Sequence, residues 1–126
     1  MPTNVKELLA AANAVVPKIT PEEARQLMQD GRALVVDVRD TQELLRGGKI
    51  KGAMHVSRGM LEFRADPDSP YHDQAFVKDR PIIVYCASGG RSALSGKVLK
   101  DFGFQSVHNL GAFKDWVESG GAVEEL

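Results

Sequence analysis

The sequence predicts an α/β protein in which a central, mostly parallel sheet lies between two layers of helices. Short apolar segments alternate with helical segments along the chain, which is the order expected of parallel βαβ units. The apolar segments 33–36 and 82–85 lack polar alternation, which is typical of strands buried on both faces. Right-handed crossovers between such strands place helices on both sides of the sheet.

Two helices are predicted before the first strand. Asn4 and Glu7 form a helix start, and Pro17 ends that segment. The segment Thr20–Glu23 combines a cap, a proline at the first helical position and a capping-box glutamate, and its helix should stop at Gly31. We expect the first helix to be a packing element at the domain edge. The predicted division is an N-terminal helical extension, residues 1–17, and one domain, residues 18–126.

Four strands are predicted in that domain, and helices follow them. The strands are 33–36, 53–56, 82–85 and 106–109. Helices are predicted from Asp40 to the Gly47-Gly48 pair, over 59–64, after the glycine-rich loop as far as Gly103, and over 112–118. Residues 65–73 are predicted to be a loop, and residues 74–79 are expected to add a helical turn.

Composition restricts the partners and the compartment. Sixteen Lys and Arg residues oppose seventeen Asp and Glu residues, so general attraction to nucleic acid or to anionic lipid is not expected. The longest apolar stretch, residues 82–87, is far shorter than the roughly 20 residues of a membrane span. Lys6 is followed at once by Glu7, so no positive leader region is recognised. One cysteine cannot form an internal disulfide, which favours a reducing, cytoplasmic location.

The loop Cys86–Ser92 lies between the best predicted strand and a helix. Ligands of parallel sheets bind at the carboxyl ends of the strands, where residues 37–40 and 57–60 should also converge. Gly89 and Gly90 allow the backbone to turn its amides inward as an anion nest, and Arg91 adds a guanidinium suited to oxyanions. These features favour a negatively charged sulfur, so a lowered Cys86 pKa and a nucleophilic thiolate are predicted.

The composition and spacing of the loop argue against other roles for Cys86. A lone cysteine in an apolar strand is usually a small buried hydrophobe, but the glycine pair and Arg91 argue against that here. Cysteine phosphatases use a longer Cys-x5-Arg loop, whereas four residues separate Cys86 from Arg91. The smaller ring suits a terminal sulfur atom better than a tetrahedral phosphate. The histidines lack ligand spacing and any recognisable relation to Cys86, so neither a His base nor a metal site is predicted: His55, His72 and His108.

Four segments of the chain together match one known pattern. They are the loop Cys-Ala-Ser-Gly-Gly-Arg with its following Ser, an Asp-x-Arg segment at 37–39 followed by Glu43, the segment Gly48–Ala53, and the stretch from Gly103 through Asn109-Leu110-Gly111 to Trp116. With this combination the sequence resembles the rhodanese family of sulfurtransferases, over nearly all of the chain after the N-terminal helix.

The resemblance implies a three-layer α/β/α fold with a five-stranded, mostly parallel sheet. It also implies a double-displacement reaction without a cofactor. Cys86 would take a sulfane sulfur from a small anionic donor such as thiosulfate and become a persulfide. Cyanide, a thiol or a protein acceptor would then remove the sulfur. The loop amides would hold the persulfide anion: Ala87, Ser88, Gly89, Gly90, Arg91 and Ser92. A non-catalytic or sulfur-relay module that binds a partner protein is the alternative, and a cysteine phosphatase or arsenate reductase is less favoured.

Three basic residues outside the loop have two interpretations each. Arg58 follows a strand and is predicted either to bind the anionic end of thiosulfate or to pair with Glu62 four residues later. Lys49 stands where the family usually has His. The change either lies on the surface without a role in the site or adds positive potential near the entrance of the site. Arg39 is expected to pair with Asp37 or with Glu43. Trp116 and Phe113 are expected in the core. Ala87 stands where some thiosulfate-using relatives carry a basic residue.

Overall fold

A four-stranded parallel sheet forms the centre of the protein, whose computed structural model describes residues 2–126. Six strands occur in the described chain: β1 (Leu34–Asp37), β2 (Lys49–Ile50), β3 (Met54–His55), β4 (Ile82–Cys86), β5 (Val107–Ala112) and β6 (Val123–Glu124). The central sheet has the order β3-β1-β4-β5. In its register Leu34 lies opposite Ile82, which lies opposite Val107. The predicted α/β class is confirmed.

The expected fifth strand is reduced to a single bridge at the β5 edge. Lys18 pairs in parallel with Asn109. The Asn109 amide donates to the Pro17 carbonyl at 2.9 Å, and the Ile19 amide donates to the Asn109 carbonyl at 3.0 Å. Pro21 already opens the next helix, so the chain turns away before a strand can form. Five regular strands were therefore the wrong count.

The helices cover both faces of the sheet. They are α1 (Val5–Val15), α2 (Pro21–Met28), α3 (Thr41–Gly47), α4 (Leu61–Ala65), α5 (Gly90–Asp101) and α6 (Phe113–Glu118), and a 3-10 turn (Arg58–Met60) precedes α4. The predicted N-caps are present. The Asn4 side chain accepts from the Glu7 amide, and Thr20 forms a full capping box with Glu23. No helix in residues 2–126 is long and apolar enough to cross a membrane.

The core is divided by the sheet into two apolar layers. Side chains alternate along β4, so Val84 and Cys86 face the layer that contains α4 and α5, whereas Ile83 and Tyr85 face the opposite layer. Every residue of β4 is buried. Burial on both faces explains the unbroken apolar run that predicted this strand.

Helix α1 packs directly against α5. Ala12 on α1 is fully buried, and Val16, the residue after the helix, is 2% exposed. A Cβ atom built on Gly96 of α5 would lie 2.8 Å from Cγ1 of Val16, so the glycine permits this close approach. The extension is in contact with the rest of the fold, while the division at residues 17 and 18 stays a prediction.

One local prediction was wrong, and one pair of strands was missed. Residues 74–79 form turns and not a helix, because the Asp73 carboxylate accepts the Ala75 amide at 2.9 Å and the Asp73 carbonyl accepts the Phe76 amide at 3.1 Å. The antiparallel pair of β2 and β6 was not predicted. Strands of two residues are too short to show a periodic pattern.

Candidate active site

Cys86 is the last residue of β4, and the next helix begins only four residues later at Gly90. Between them Gly89 has a φ of +102°, in the left-handed region that favours glycine. This conformation turns the Gly89 amide toward the cysteine, and it donates to Sγ at 3.0 Å. Cys86 is fully buried, whereas Ala87 and Ser88 are exposed. The loop therefore covers the sulfur with backbone amides.

The sulfur has partners that favour its charged form. The Ser92 hydroxyl lies 3.4 Å from Sγ, one turn into α5. Burial raises the pKa of the Cys86 thiol, but hydrogen bonds from the Ser92 hydroxyl and from the amides of Ser92, Gly89 and Ser88 outweigh burial, and the net pKa is lowered. The predicted thiolate therefore has a physical basis in this loop.

Asn109 is a member of the site that sequence reasoning placed only in a strand. Its Oδ1 accepts from the Ser92 hydroxyl at 2.7 Å, and its Nδ2 donates to the Gly89 carbonyl at 3.3 Å. The residue is 2% exposed and lies opposite Val84 of the adjacent strand. The available signal was a polar residue at the end of a predicted strand, but the adjacent His108 is polar as well.

Arg91 faces α3 through a two-point ion pair. Its guanidinium donates to the two carboxylate oxygens of Glu43 at 2.7 and 3.0 Å. These hydrogen bonds outweigh partial burial and lower the pKa of Glu43 to about 2. The same bonds raise the pKa of Arg91, with a smaller contribution from the charge of Cys86. Arg91 therefore keeps its positive charge beside the loop, and two of its five N–H donors are engaged by Glu43.

Asp37 and Arg39 form a buried pair that organises the fold below the site. Nη2 of Arg39 donates to Asp37 at 2.7 Å and to the Gly48 carbonyl at 2.7 Å. Its guanidinium carbon also lies 4.4 Å from the ring centroid of Phe113. Of the two expected partners of Arg39, the structure contains Asp37. The expected pairing of Arg39 with Glu43 was wrong, because Glu43 turns to Arg91.

Arg58 and Lys49 are engaged elsewhere. Arg58 donates to Glu62 at 2.9 Å on the turn after β3, and β1 lies between that strand and β4. Of the two interpretations of Arg58, the structure contains the ion pair with Glu62. Lys49 donates to the Ala53 carbonyl at 2.7 Å and to Glu124 of β6, where it joins the two-stranded sheet.

The histidines contact groups other than the sulfur. Nε2 of His55 donates to the Arg39 carbonyl at 2.6 Å, and His108 contacts the Ser106 hydroxyl at 3.0 Å. Within residues 2–126 no group of three or more His, Cys, Asp or Glu side chains is placed to hold a metal ion. In the part of the chain that the structure describes, none of the three histidines hydrogen-bonds to the Cys86 sulfur, which instead contacts the Ser92 hydroxyl and the Gly89 amide.

The protein is of the α/β class, and it places a cysteine with a lowered pKa in an amide-lined loop at the carboxyl end of its parallel sheet. Residues 20–119 match the model of the rhodanese-like domain, and the chain belongs to that family. The family predicted from the sequence is confirmed.

Curated relatives and solved structures agree with this assignment. The chain is 35% identical over 101 residues to the thiosulfate sulfurtransferase GlpE of Pseudomonas paraeruginosa, covering 79% of this chain and 82% of the relative. It is similar to the polysulfide-sulfur transferase homodimer of Wolinella succinogenes, at 32% identity and a TM-score of 0.76, covering 96% of this chain and 87% of the other. The prediction of an enzyme similar to the thiosulfate sulfurtransferases is confirmed.

A third neighbour has a different description. A Rhodopseudomonas palustris protein, described as of unknown function and a possible tyrosine phosphatase, is 38% identical with a TM-score of 0.89. The match covers 98% of this chain and 96% of that chain. The fold is therefore shared by proteins described as sulfur transferases and by one described as a possible tyrosine phosphatase.

Proposed function

We propose that this protein is a sulfurtransferase that moves a sulfane sulfur from a small anionic donor, such as thiosulfate, to a thiophilic acceptor through a persulfide on Cys86. The observation that carries the proposal is the hydrogen bonding of Sγ by the Gly89 amide and its contact with Ser92. Groups that stabilise a thiolate also stabilise the terminal sulfur of a persulfide, because both are sulfur anions.

In the first half-reaction the Cys86 thiolate attacks the outer sulfur of thiosulfate. A bond forms between Sγ and that sulfur, the sulfur–sulfur bond of thiosulfate breaks, and sulfite leaves with the electron pair. The protein now carries a persulfide anion, and the total charge is unchanged. The lowered pKa of Cys86 increases the fraction of the attacking thiolate.

In the second half-reaction an acceptor such as cyanide or a thiolate attacks the outer sulfur of the persulfide. The bond between that sulfur and Sγ breaks, and its electron pair returns to Cys86 as a thiolate. The acceptor leaves as thiocyanate or as a new persulfide. Neither step requires an oxidant, a metal or an organic cofactor, and the loop amides from Ala87 to Ser92 are proposed to hold the sulfur anion throughout.

Phosphatase chemistry is the second candidate, because the Rhodopseudomonas palustris neighbour is described as a possible tyrosine phosphatase. The geometry of the loop favours sulfur transfer. A phosphate needs several donors around three oxygens, whereas the loop has four residues between Cys86 and Arg91. The guanidinium of Arg91 is also paired through two hydrogen bonds with Glu43.

The physiological partners are proposed at the level of chemistry. A protein acceptor would receive the sulfur if the module works as a relay, and the proposed compartment is the cytoplasm, where thiols stay reduced. Rapid discharge of the persulfide to a protein acceptor, together with very slow turnover with cyanide, is the result expected of a relay.

Thiocyanate formation from thiosulfate and cyanide tests the proposal. The wild-type protein should turn over, and Cys86→Ser should be inactive. Ser95→Ala is the matched control, because the Ser95 hydroxyl donates to the Arg91 carbonyl and makes no contact with Sγ. Phosphate release from an aryl phosphate that depends on Cys86, without thiocyanate formation, would contradict sulfur transfer and support the phosphatase.

A further inference from the structure

A cleft of about 420 Å³ opens beside the active-site loop. It lies between helix α1, the start of α5 and the turn that joins β5 to α6. Its volume falls within the roughly 300–1,000 Å³ of small-molecule sites. Leu9, Ile19 and Leu110 form apolar parts of its lining, and Asn13 adds a polar side chain.

Two opposite charges line the cleft. Lys18 is the positively charged residue of the lining and Asp115 the negatively charged one. Neither makes a salt bridge or a side-chain hydrogen bond with any residue in the range 2–126, although several other exposed charges in that range do. The two groups therefore line one cavity without neutralising each other. A ligand with a carboxylate and an ammonium group would complement both.

The cleft shares a wall with the reactive sulfur. Gly89 lines it and donates its amide to Sγ at 3.0 Å. Asn109 also lines the cleft. It accepts a hydrogen bond from the Ser92 hydroxyl, which in turn contacts Sγ. Because Gly89 both lines the cleft and contacts Sγ, the cleft adjoins the active-site loop at this residue. A thiol held in the cleft would lie next to the loop that holds the outer persulfide sulfur.

We propose that this cleft binds the sulfur acceptor and selects a thiol that carries both an ammonium group and a carboxylate, of the size of an amino acid or a short peptide. The carboxylate pairs with Lys18, the ammonium group pairs with Asp115, and the carbon chain packs on the apolar wall. This inference rests on the proposed function, since it names the acceptor of the same reaction. The step is the second half-reaction above, with the acceptor thiolate as nucleophile.

Several residues that would select the acceptor lie before the rhodanese-like domain, which begins at residue 20. They include Leu9, Asn13 and Lys18. Helix α1 would serve both as a packing element on α5 and as one wall of a binding site. Relatives without this extension would have no equivalent wall.

A binding experiment on the unloaded protein tests the cleft without any sulfur chemistry. S-methylcysteine has the required charges but no reactive thiol, and its methyl ester and its N-acetyl derivative each lack one charge. The amide signals of Ser88, Gly89, Gly90 and Gly111 should shift saturably with S-methylcysteine and much less with either derivative. Lys18→Met and Asp115→Asn should each weaken binding about threefold to fivefold, the range expected of exposed ion pairs. Lys114→Met and Glu118→Gln make the same charge changes on α6 outside the cleft and should not.

Discharge of the loaded protein gives the second measurement. The ratio of the discharge rate with cysteine to that with cyanide should fall in Lys18→Met and Asp115→Asn and stay at the wild-type value in the two control variants. Absence of saturable binding, or equal binding of all three probes, would overturn the cleft assignment even if Cys86 takes up sulfur. Specific binding without sulfur uptake from thiosulfate would support the cleft as an amino-acid site and contradict the proposed function.

Discussion

The Ser92 hydroxyl has one proton and three neighbours that can accept it. Asn109 Oδ1 is at 2.7 Å, the Gly89 carbonyl at 3.1 Å and the sulfur of Cys86 at 3.4 Å. While Cys86 is a thiol, its S–H can donate to Ser92 and the hydroxyl can donate to Asn109. When the thiol loses its proton, rotation of the hydroxyl directs the donor to the sulfur. Asn109 thus holds the hydroxyl close to the sulfur in the thiol state, and the hydroxyl gives up that bond when it donates to the thiolate.

Ser92→Ala should raise the pKa of the Cys86 thiol, because it removes a hydrogen bond to the thiolate while burial remains. The pH dependence of iodoacetamide alkylation measures this pKa. In the wild type the alkylation rate should reach half its maximum below the unperturbed thiol pKa of 9.0, and the midpoint should move upward in Ser92→Ala. The Ser95→Ala variant, which loses a buried hydroxyl from the same helix, should keep the wild-type midpoint. Equal midpoints for wild type and Ser92→Ala would remove Ser92 from the account of thiolate formation.

Among the contacts between elements, that of α1 with α5 depends on a glycine. Gly96→Ala adds a methyl group 2.8 Å from Val16 Cγ1. Such overpacking costs about 1–3 kcal/mol, which exceeds the stabilisation gained from the higher helix propensity of alanine. We expect a lower urea midpoint for Gly96→Ala. In a Val16→Ala background the same change should become neutral or stabilising, because the methyl group then fills the vacated space.

Gly59→Ala is the control for that experiment, since nothing lies within 4 Å of the added Cβ and the backbone is not left-handed. Its urea midpoint should stay close to that of the wild type. If Gly96→Ala destabilises the protein equally with and without Val16, the contact between the helices is not the cause.

The ion pair of Glu43 and Arg91 joins α3 to the active-site helix and makes stability depend on pH. Because the folded-state pKa of Glu43 is lowered from 4.5 to about 2, its stabilisation is fully present above pH 4.5 and is lost as the pH falls toward 2. Both side chains are about one-third exposed, so the contribution is about 1 kcal/mol or less.

Urea unfolding of wild type and Glu43→Gln at several pH values measures this contribution. The difference in the free energy of unfolding should be largest near pH 6 and should shrink below pH 4.5. Glu118→Gln removes a negative charge that makes no ion pair within residues 2–126 and should show no comparable decrease. A Glu43→Gln difference that is constant from pH 6 to pH 2 would contradict the assigned pair.

Local signals predicted the elements well, and contacts between elements were not visible in the sequence. The caps at Asn4 and Thr20 involve residues only three apart, so the sequence shows both partners. Glu43 and Arg91 are 48 residues apart, and an equally good local partner, Arg39, was available to Glu43. The turns at 74–79 follow from the Asp73 side chain, which competes with helix formation by bonding to nearby amides.

On the scale of the whole molecule, Arg39 links elements from three parts of the chain. It contacts Asp37 at the end of β1, the Gly48 carbonyl after α3 and the ring of Phe113 on α6. Tyr85 of β4 lies in the same cluster, with its ring stacked on Phe113 at 5.9 Å. This cluster fixes the layer of the fold opposite the reactive cysteine.

Asp37→Ala should destabilise the fold by about 3–5 kcal/mol, because it leaves the Arg39 charge buried without its partner. Asp37→Ala combined with Arg39→Met should recover much of that loss, since both buried charges are then absent. Chemical denaturation measures both variants. A double variant no more stable than Asp37→Ala would show that the contacts of Arg39 with Gly48 and Phe113 outweigh the ion pair.

Topology explains which parts of the site were predictable. The carboxyl ends of parallel strands converge, so the loop Cys86–Ser92 was placed at the correct edge from the order of elements alone. Asn109 reaches the site through the register of β5, and the cleft arises because α1 folds back onto α5. Both depend on how distant segments pack, and the segment that contains Asn109 did not indicate its contact with Ser92.

The intact mass of the protein after incubation with thiosulfate tests the central claim most directly. The wild type should gain the mass of one sulfur atom, the gain should map to Cys86, and cyanide should remove it. Cys86→Ser should gain nothing. A wild-type protein that gains no sulfur, or a Cys86→Ser variant that gains as much as the wild type, would contradict the account of Cys86 as a persulfide carrier.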